Sequence, residues 1–79
     1  MSVDYDTNKI DDMVLALLHL TSWSEGGIAR AWKSHDWDAL DRLHEKGFIS
    51  DPKSTAKSVG LSAEGAQRAR ELFEKFFSS

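Results

Sequence analysis

The chain has 79 residues, 41% hydrophobic and 29% charged, the mix of one ordinary globular domain. At this length burial gains barely exceed the ordering entropy, so one small core is all it supports, and two-domain enzymes, barrels and large α/β sheets are excluded. Ten Lys and Arg stand against thirteen Asp and Glu for a net charge of −3, and there is no Cys. A mainly phosphate-coating chain is thereby disfavoured, and disulfide or thiolate sites are removed.

Residues Met1 to Tyr5 read as a loose lead-in to a single domain spanning 1–79. A first helix is expected after Asp6 or Thr7, both good caps, with Asp11 and Asp12 favouring its positive dipole end. Ile10, Met13, Val14, Leu17 and Leu18 form its apolar stripe, which Leu15 and Leu20 widen. An arc that wide needs cover on two sides, and in so small a protein a second chain could supply one. The apolar run from Met13 to Leu18 is far too short to span a bilayer, and Asp4 and Asp6 stand where a signal peptide carries Lys or Arg. The expectation is a cytoplasmic protein without membrane contact.

Gly26-Gly27 breaks the pattern after a polar turn. Ile28, Ala29, Ala31 and Trp32 then suggest a short second helix ending near Ser34. A third helix is expected from Trp37 to Lys46, capped by Asp36 or Ser34. Its inner face is Trp37, Leu40, Leu43 and His44, and Gly47 closes it in a left-handed conformation. Phe48-Ile49 and the alternation of Lys57, Val59 and Leu61 read as two strands of a small antiparallel wing. Between them Asp51-Pro52-Lys53-Ser54 forms a turn. Ser62 caps a last helix reaching about Phe77, with Ala66, Ala69, Leu72, Phe73, Phe76 and Phe77 on its apolar arc. The expected fold is mainly α with a two-stranded wing.

The segment Glu45-Lys46-Gly47-Phe48-Ile49, followed by Leu61-Ser62-Ala63-Glu64-Gly65, resembles the winged helix-turn-helix of MarR- and PadR-type bacterial regulators from about Gly27 to Phe77. Ser62 replaces the usual Thr there and caps equally well. Over its whole length the chain is also similar to a family of small bacterial proteins with no assigned function. That similarity is carried by Val14-Leu15-Ala16-Leu17-Leu18, Arg30-Ala31-Trp32-Lys33, the run from Asp36 to Gly47, and Ser50-Asp51-Pro52. It implies a fold and no activity.

By the regulator resemblance, the third helix would enter the major groove of DNA and the wing would touch the backbone. Arg42 and Lys46 would face the groove, with Arg30, Lys33, Lys53 and Lys57 on phosphates. Against this, the stretch from Asp36 to Asp51 carries five acids and two bases, which a phosphate surface repels. The bland reading keeps Arg42 and Lys46 as solvated helix residues paired with Asp38 and Glu45.

Catalysis has no basis in the spacing. His19, His35 and His44 lie on separate segments without helix metal-site pairing, and no nucleophile elbow or phosphate-binding glycine loop exists. No cofactor or metal is expected. His19 reads as a helix-end residue bonding a carbonyl.

Trp23, Trp32 and Trp37 read first as core, with Trp37 in phase with Leu40 and Leu43, and Trp23 as an alternative anchor for a partner. Three Phe close to the last helix's end exceed what one small core absorbs. With Leu15 and Leu72 they point to a homodimer through the first and last helices, built on Trp23, Phe73, Phe76 and Phe77. The same helices crossing within a monomer is the competing explanation. The expected function is a non-catalytic module for protein interaction or self-association. A DNA-binding regulator is the alternative.

Overall fold

The computed structural model describes residues 5–78; Met1 to Asp4 of the expected lead-in lie outside the described residues, while Tyr5 is exposed. Helix α1 (Thr7–Leu20) starts as expected at Asp6, whose side chain accepts the Lys9 amide at 3.0 Å, satisfying one orphan donor of the first turn. Strands β1 (Trp23–Glu25) and β2 (Ile28–Trp32) follow, then α2 (Trp37–Glu45), β3 (Ser58–Gly60) and α3 (Ala63–Phe77). Asp36 and Ser62 cap α2 and α3 through the amides of Ala39 and Gly65. Gly47, at φ 80°, reverses the chain after α2 as the sequence predicts.

The expected second helix is a strand. Ile28 to Trp32 pairs antiparallel with β1 on one side and β3 on the other, so the sheet has three strands in the order β1-β2-β3. A five-residue apolar run fits either period. The decision comes from Gly26 and Gly27, at φ 60° and 82°, which form the two-residue turn whose twist matches a hairpin. Once hairpinned, Ala29 and Ala31 face inward while Ile28, Arg30 and Trp32 face outward.

The expected two-stranded wing is smaller than predicted. Phe48-Ile49 contributes a single bridge, Ile49 to Leu61, and the strand partner of β3 is β2. The Asp51-Pro52-Lys53-Ser54 turn is present, closed by the Ser54 amide on the Asp51 carbonyl at 3.2 Å.

The three helices cover one face of the sheet. Leu15 and Leu18 of α1, Leu40 and Leu43 of α2, and Ala69 and Leu72 of α3 meet Ala31 and Val59 in one core. The fold is two layers thick, with extents of 46 × 35 × 19 Å, and no helix among the described residues covers the outer sheet face. Gly65 sits where α3 crosses the Phe48 backbone, so close that a β-carbon there would collide with the Phe48 carbonyl.

Helix α1 is turned relative to the predicted stripe. Val14, Leu15, Ala16 and Leu18 are buried, and so is Asp11, whereas Ile10, Met13 and Leu17 are only half-buried. Trp37 and Trp32 are exposed rather than core: Trp37 occupies the first turn of α2, beyond Ala39 and Leu40, and Trp32 lies on the outer sheet face. His44 is exposed too, with Nδ1 at 3.0 Å from the Ile49 carbonyl.

Candidate functional site

The basic residues offered for nucleic acid do not converge. Arg42 and Lys46, one turn apart on the inner side of α2 and its cap, reach across to the fully buried Asp11. Arg42 Nε lies 2.9 and 2.8 Å from the two carboxylate oxygens, Nη2 lies 2.8 Å from Oδ1, and Lys46 Nζ lies 3.1 Å from Oδ2. A carboxylate without water needs this many charge-assisted donors. The hydrogen bonds that Arg42 donates to Asp11 push its pKa up from its usual value. These two cations therefore bind α2 to α1 instead of presenting themselves outward or pairing with Asp38 and Glu45.

Lys33 is similarly engaged: its Nζ donates to the carbonyls of Pro52 at 2.8 Å and Ser54 at 2.9 Å, and stands 5.6 Å over the Trp37 ring. It holds the loop between Ser50 and Ser58 against the start of α2. Arg30 donates from Nε to Ser58 Oγ and from Nη2 to the Ser58 carbonyl. Of the six predicted contacts, Lys53 and Lys57 are exposed in the loop without an ion pair among the described residues.

The predicted partner contacts divide as well. Leu15 is fully buried and Leu72 only 1% exposed, so neither can meet a second chain; both fill the junction of α1 and α3. Trp23 is half-buried, its ring 4.8 Å from that of Trp32. Phe73 stacks on His19 at 5.3 Å and on Phe77 at the same distance, while Phe76 is half-buried and Phe77 is exposed. His19 thus serves as a ring against Phe73, and its own carbonyl is taken by the Ser22 hydroxyl at 2.7 Å.

What remains outward on α1 is a line of apolar residues, Met13, Leu17 and Leu20, at spacings of four and three, continued by Ile10, which also packs against the core. Beside it Tyr5, Asp6, Lys9 and Val14 complete a shallow, almost wholly apolar depression of about 400 Å³. The sequence marked the width of this arc but assigned Ile10, Met13 and Leu17 to the core. Only the buried Asp11 reveals which way the helix is turned.

No cluster of three or more His, Asp or Glu side chains suited to a metal ion occurs among the described residues. His35, in the β2–α2 loop, has its Nε2 buried without a hydrogen-bond partner among the described residues. Burial pushes its pKa below the ordinary 6.5. No helix among the described residues is long and apolar enough to cross a membrane.

Residues 6–79 match the family described as "Domain of unknown function (DUF6429)". The chain belongs to that family. It is 49% identical over 76 residues to the "Uncharacterized protein y4hR" of Sinorhizobium fredii (strain NBRC 101917 / NGR234), an alignment covering 96% of this chain and 99% of that protein. No solved structure matches it. The family match therefore runs from the α1 cap at Asp6 to the end of the chain, taking in the ion cluster, the sheet and the apolar line on α1 alike.

Proposed function

We propose that this protein is a non-catalytic interaction module that pairs with a second copy of itself through the outward line of α1. The observation that carries this reading is the two-sided burial demand of one helix: Leu15 and Leu18 lie in the core while Met13, Leu17 and Leu20 stand outside it. Apolar patches of this kind on a small domain mark contact surfaces. A helix of 14 residues spans about 21 Å at 1.5 Å per residue, enough for an antiparallel two-fold pairing that also opposes the helix dipoles.

The available area fits such a pairing. Tyr5 is 72% exposed, Leu20 60% and Phe77 48%; with the half-buried Met13 and Leu17 these offer on the order of 400 Å² of apolar surface, at roughly 200 Å² per complete side chain. A standard interface of about 800 Å² per partner is roughly 60% apolar, which calls for a similar area. The proposed contact includes Phe77, exposed at the end of α3, and leaves out Trp23, which lies on the sheet.

Sedimentation velocity from low to high micromolar concentration tests the reading. The expected result is a concentration-dependent dimer that Met13→Glu and Leu17→Glu each reduce to monomer without loss of helical signal. A wild-type chain that stays monomeric at the highest concentration overturns it.

The winged-helix order supports a second reading, a DNA-binding regulator. Helix α2, the Gly47 turn, the loop to β3 and α3 follow the sequence of a recognition helix, wing and closing helix; the β1–β2 hairpin stands where the MarR- and PadR-type resemblance implies a helix. Lys53 and Lys57 are the residues that favour it. With Arg42 and Lys46 bound to Asp11, Lys33 engaged with the loop and Arg30 left with Nη1 alone, few phosphate contacts remain, and affinity falls with their number. Fluorescence anisotropy of a generic labelled duplex at low salt separates the readings. Micromolar binding that weakens in Lys53→Gln and Lys57→Gln revives the regulator, and no binding removes it.

A further inference from the structure

We propose that the outer face of the sheet carries a binding site for a carboxylate borne on an apolar group, with Arg30 as its anchor. The site is the groove of about 320 Å³ between Ile28 and Arg30 of the outer sheet face and Ser50 and Gly60, with the core residues Ile49 and Leu61 at its edge. It is independent of the α1 surface.

Arg30 is held in place from below. Its Nε and Nη2 donate to Ser58 at 3.0 and 3.1 Å, which leaves Nη1 without a hydrogen-bond acceptor among the described residues. A guanidinium immobilised by two of its nitrogens gives up little further entropy when the third takes a ligand. Gly60 makes this arrangement feasible: a β-carbon there would stand 3.2 Å from Nη1 and 3.6 Å from Ile28 Cγ2, so the bare backbone forms the groove floor.

A second donor converges on the same point. Ser50 Oγ lies 4.0 Å from that Gly60 β-carbon position and accepts the Gly60 amide at 2.9 Å. Its own proton is thereby directed away from Gly60 and free to donate. Ser62, the N-cap of α3, also lines the groove.

The charge balance selects a monoanion. Glu25 lies 4.0 Å from Arg30 Nε, beyond hydrogen-bond range, and accepts a hydrogen bond from Trp23 Nε1 at 3.4 Å. One cation with a carboxylate nearby suits a single negative charge better than a phosphate, which needs more donors and more positive charge. The walls select an apolar substituent: Ile28, 52% exposed, lines the groove together with Ile49 and Leu61. The groove is shallow and open, so it suits a small acid such as an aryl acetate or the C-terminal residue of a peptide.

Amide NMR titrations of the full chain test the site, with phenylacetate as probe and neutral phenylacetamide as control. A short peptide ending in Phe, with free or amidated C-terminus, tells a peptide source from a small acid. The expected result is a saturable millimolar shift confined to Ile28, Arg30, Ser50 and Gly60, with the amide at least about tenfold weaker, as loss of a charged hydrogen bond requires. Arg30→Gln should abolish the shift. Ser50→Ala, which leaves the guanidinium bonds intact, should weaken binding about threefold or more. Glu25→Gln should tighten it about twofold by removing the competing carboxylate. Equal response to phenylacetate and phenylacetamide, an unchanged response in Ser50→Ala and Arg30→Gln, or no saturable shift with either the acid or the free-carboxylate peptide overturns the proposal. Dimerisation through α1 is measured separately and survives any of these outcomes.

Discussion

The Asp11 cluster makes an asymmetric prediction about stability. The carboxylate is fully buried, whereas the Arg42 and Lys46 side chains keep 31% and 36% of their surface in water. Arg42→Ala leaves a buried charge with only the Lys46 contact at 3.1 Å, so about 3 kcal/mol of stability should be lost, the low end for stranding one member of a buried pair. Asp11→Ala removes the group that cannot reach water and frees two cations that can. Its loss is that of the charge-assisted hydrogen bonds and a small void, about 2 kcal/mol. In the Asp11→Ala background, Arg42→Ala should then cost less than about 1 kcal/mol, a coupling of roughly 2 kcal/mol between the two positions. Urea unfolding at neutral pH measures all four corners of the cycle. In a domain of this size each kcal/mol moves the melting temperature by about 4–8 °C, so the difference between the singles is resolvable. Additive losses, to within about 0.5 kcal/mol, would refute the view that Asp11 is what holds Arg42 against α1.

Three further outcomes follow from single residues. His35 is less readily protonated when folded, so the unfolded chain takes up the proton first; stability should be complete above the ordinary pKa of 6.5 and decline as pH falls through it. His35→Gln should flatten the melting temperature between about pH 7.5 and 5.5, before most carboxylates titrate; an unchanged slope would show that the decline comes from other groups. Gly65→Ala should cost more than about 3 kcal/mol, since α3 must lift off the Phe48 backbone, while Gly47→Ala, at φ 80° with open space around it, should cost about 1 kcal/mol or slightly more. Chemical denaturation that ranks Gly47→Ala above Gly65→Ala would contradict the close approach. Lys33→Met removes the tie to Pro52 and Ser54, so trypsin should cut at Lys53 or Lys57 several-fold faster with little change in global stability; equal cleavage rates would mean that the loop is held without it.

Much of this molecule was legible where a local rule sufficed. The caps at Asp6, Asp36 and Ser62, the left-handed Gly47, the Asp51 turn and the extents of α1 and α3 all depend on residues within four positions of one another. The candidate surfaces were less legible. Width of the apolar arc on α1 pointed to a contact, yet Leu15 and Leu72 turned out to be core and Met13 and Leu17 the open side. The groove at Arg30 left no signal at all, because Gly60 and Ser50 come from a strand and a loop that are distant in the chain from Arg30.

The same division separates what the sequence by itself determined from what the tertiary structure decided. Composition and length set one small domain, and capping chemistry set where its long helices begin and end, because those free energies are local. Whether Ile28 to Trp32 was helix or strand hinged on an unoccupied sheet edge supplied by Val59 about thirty positions later, with Gly26-Gly27 offering the turn. The facing of α1 hinged on Asp11, a carboxylate that belongs in water until Arg42 and Lys46 arrive from another helix. Burial of a charge is unfavourable for the residue alone and favourable only for the assembled group, and no reading of α1 in isolation contains that information.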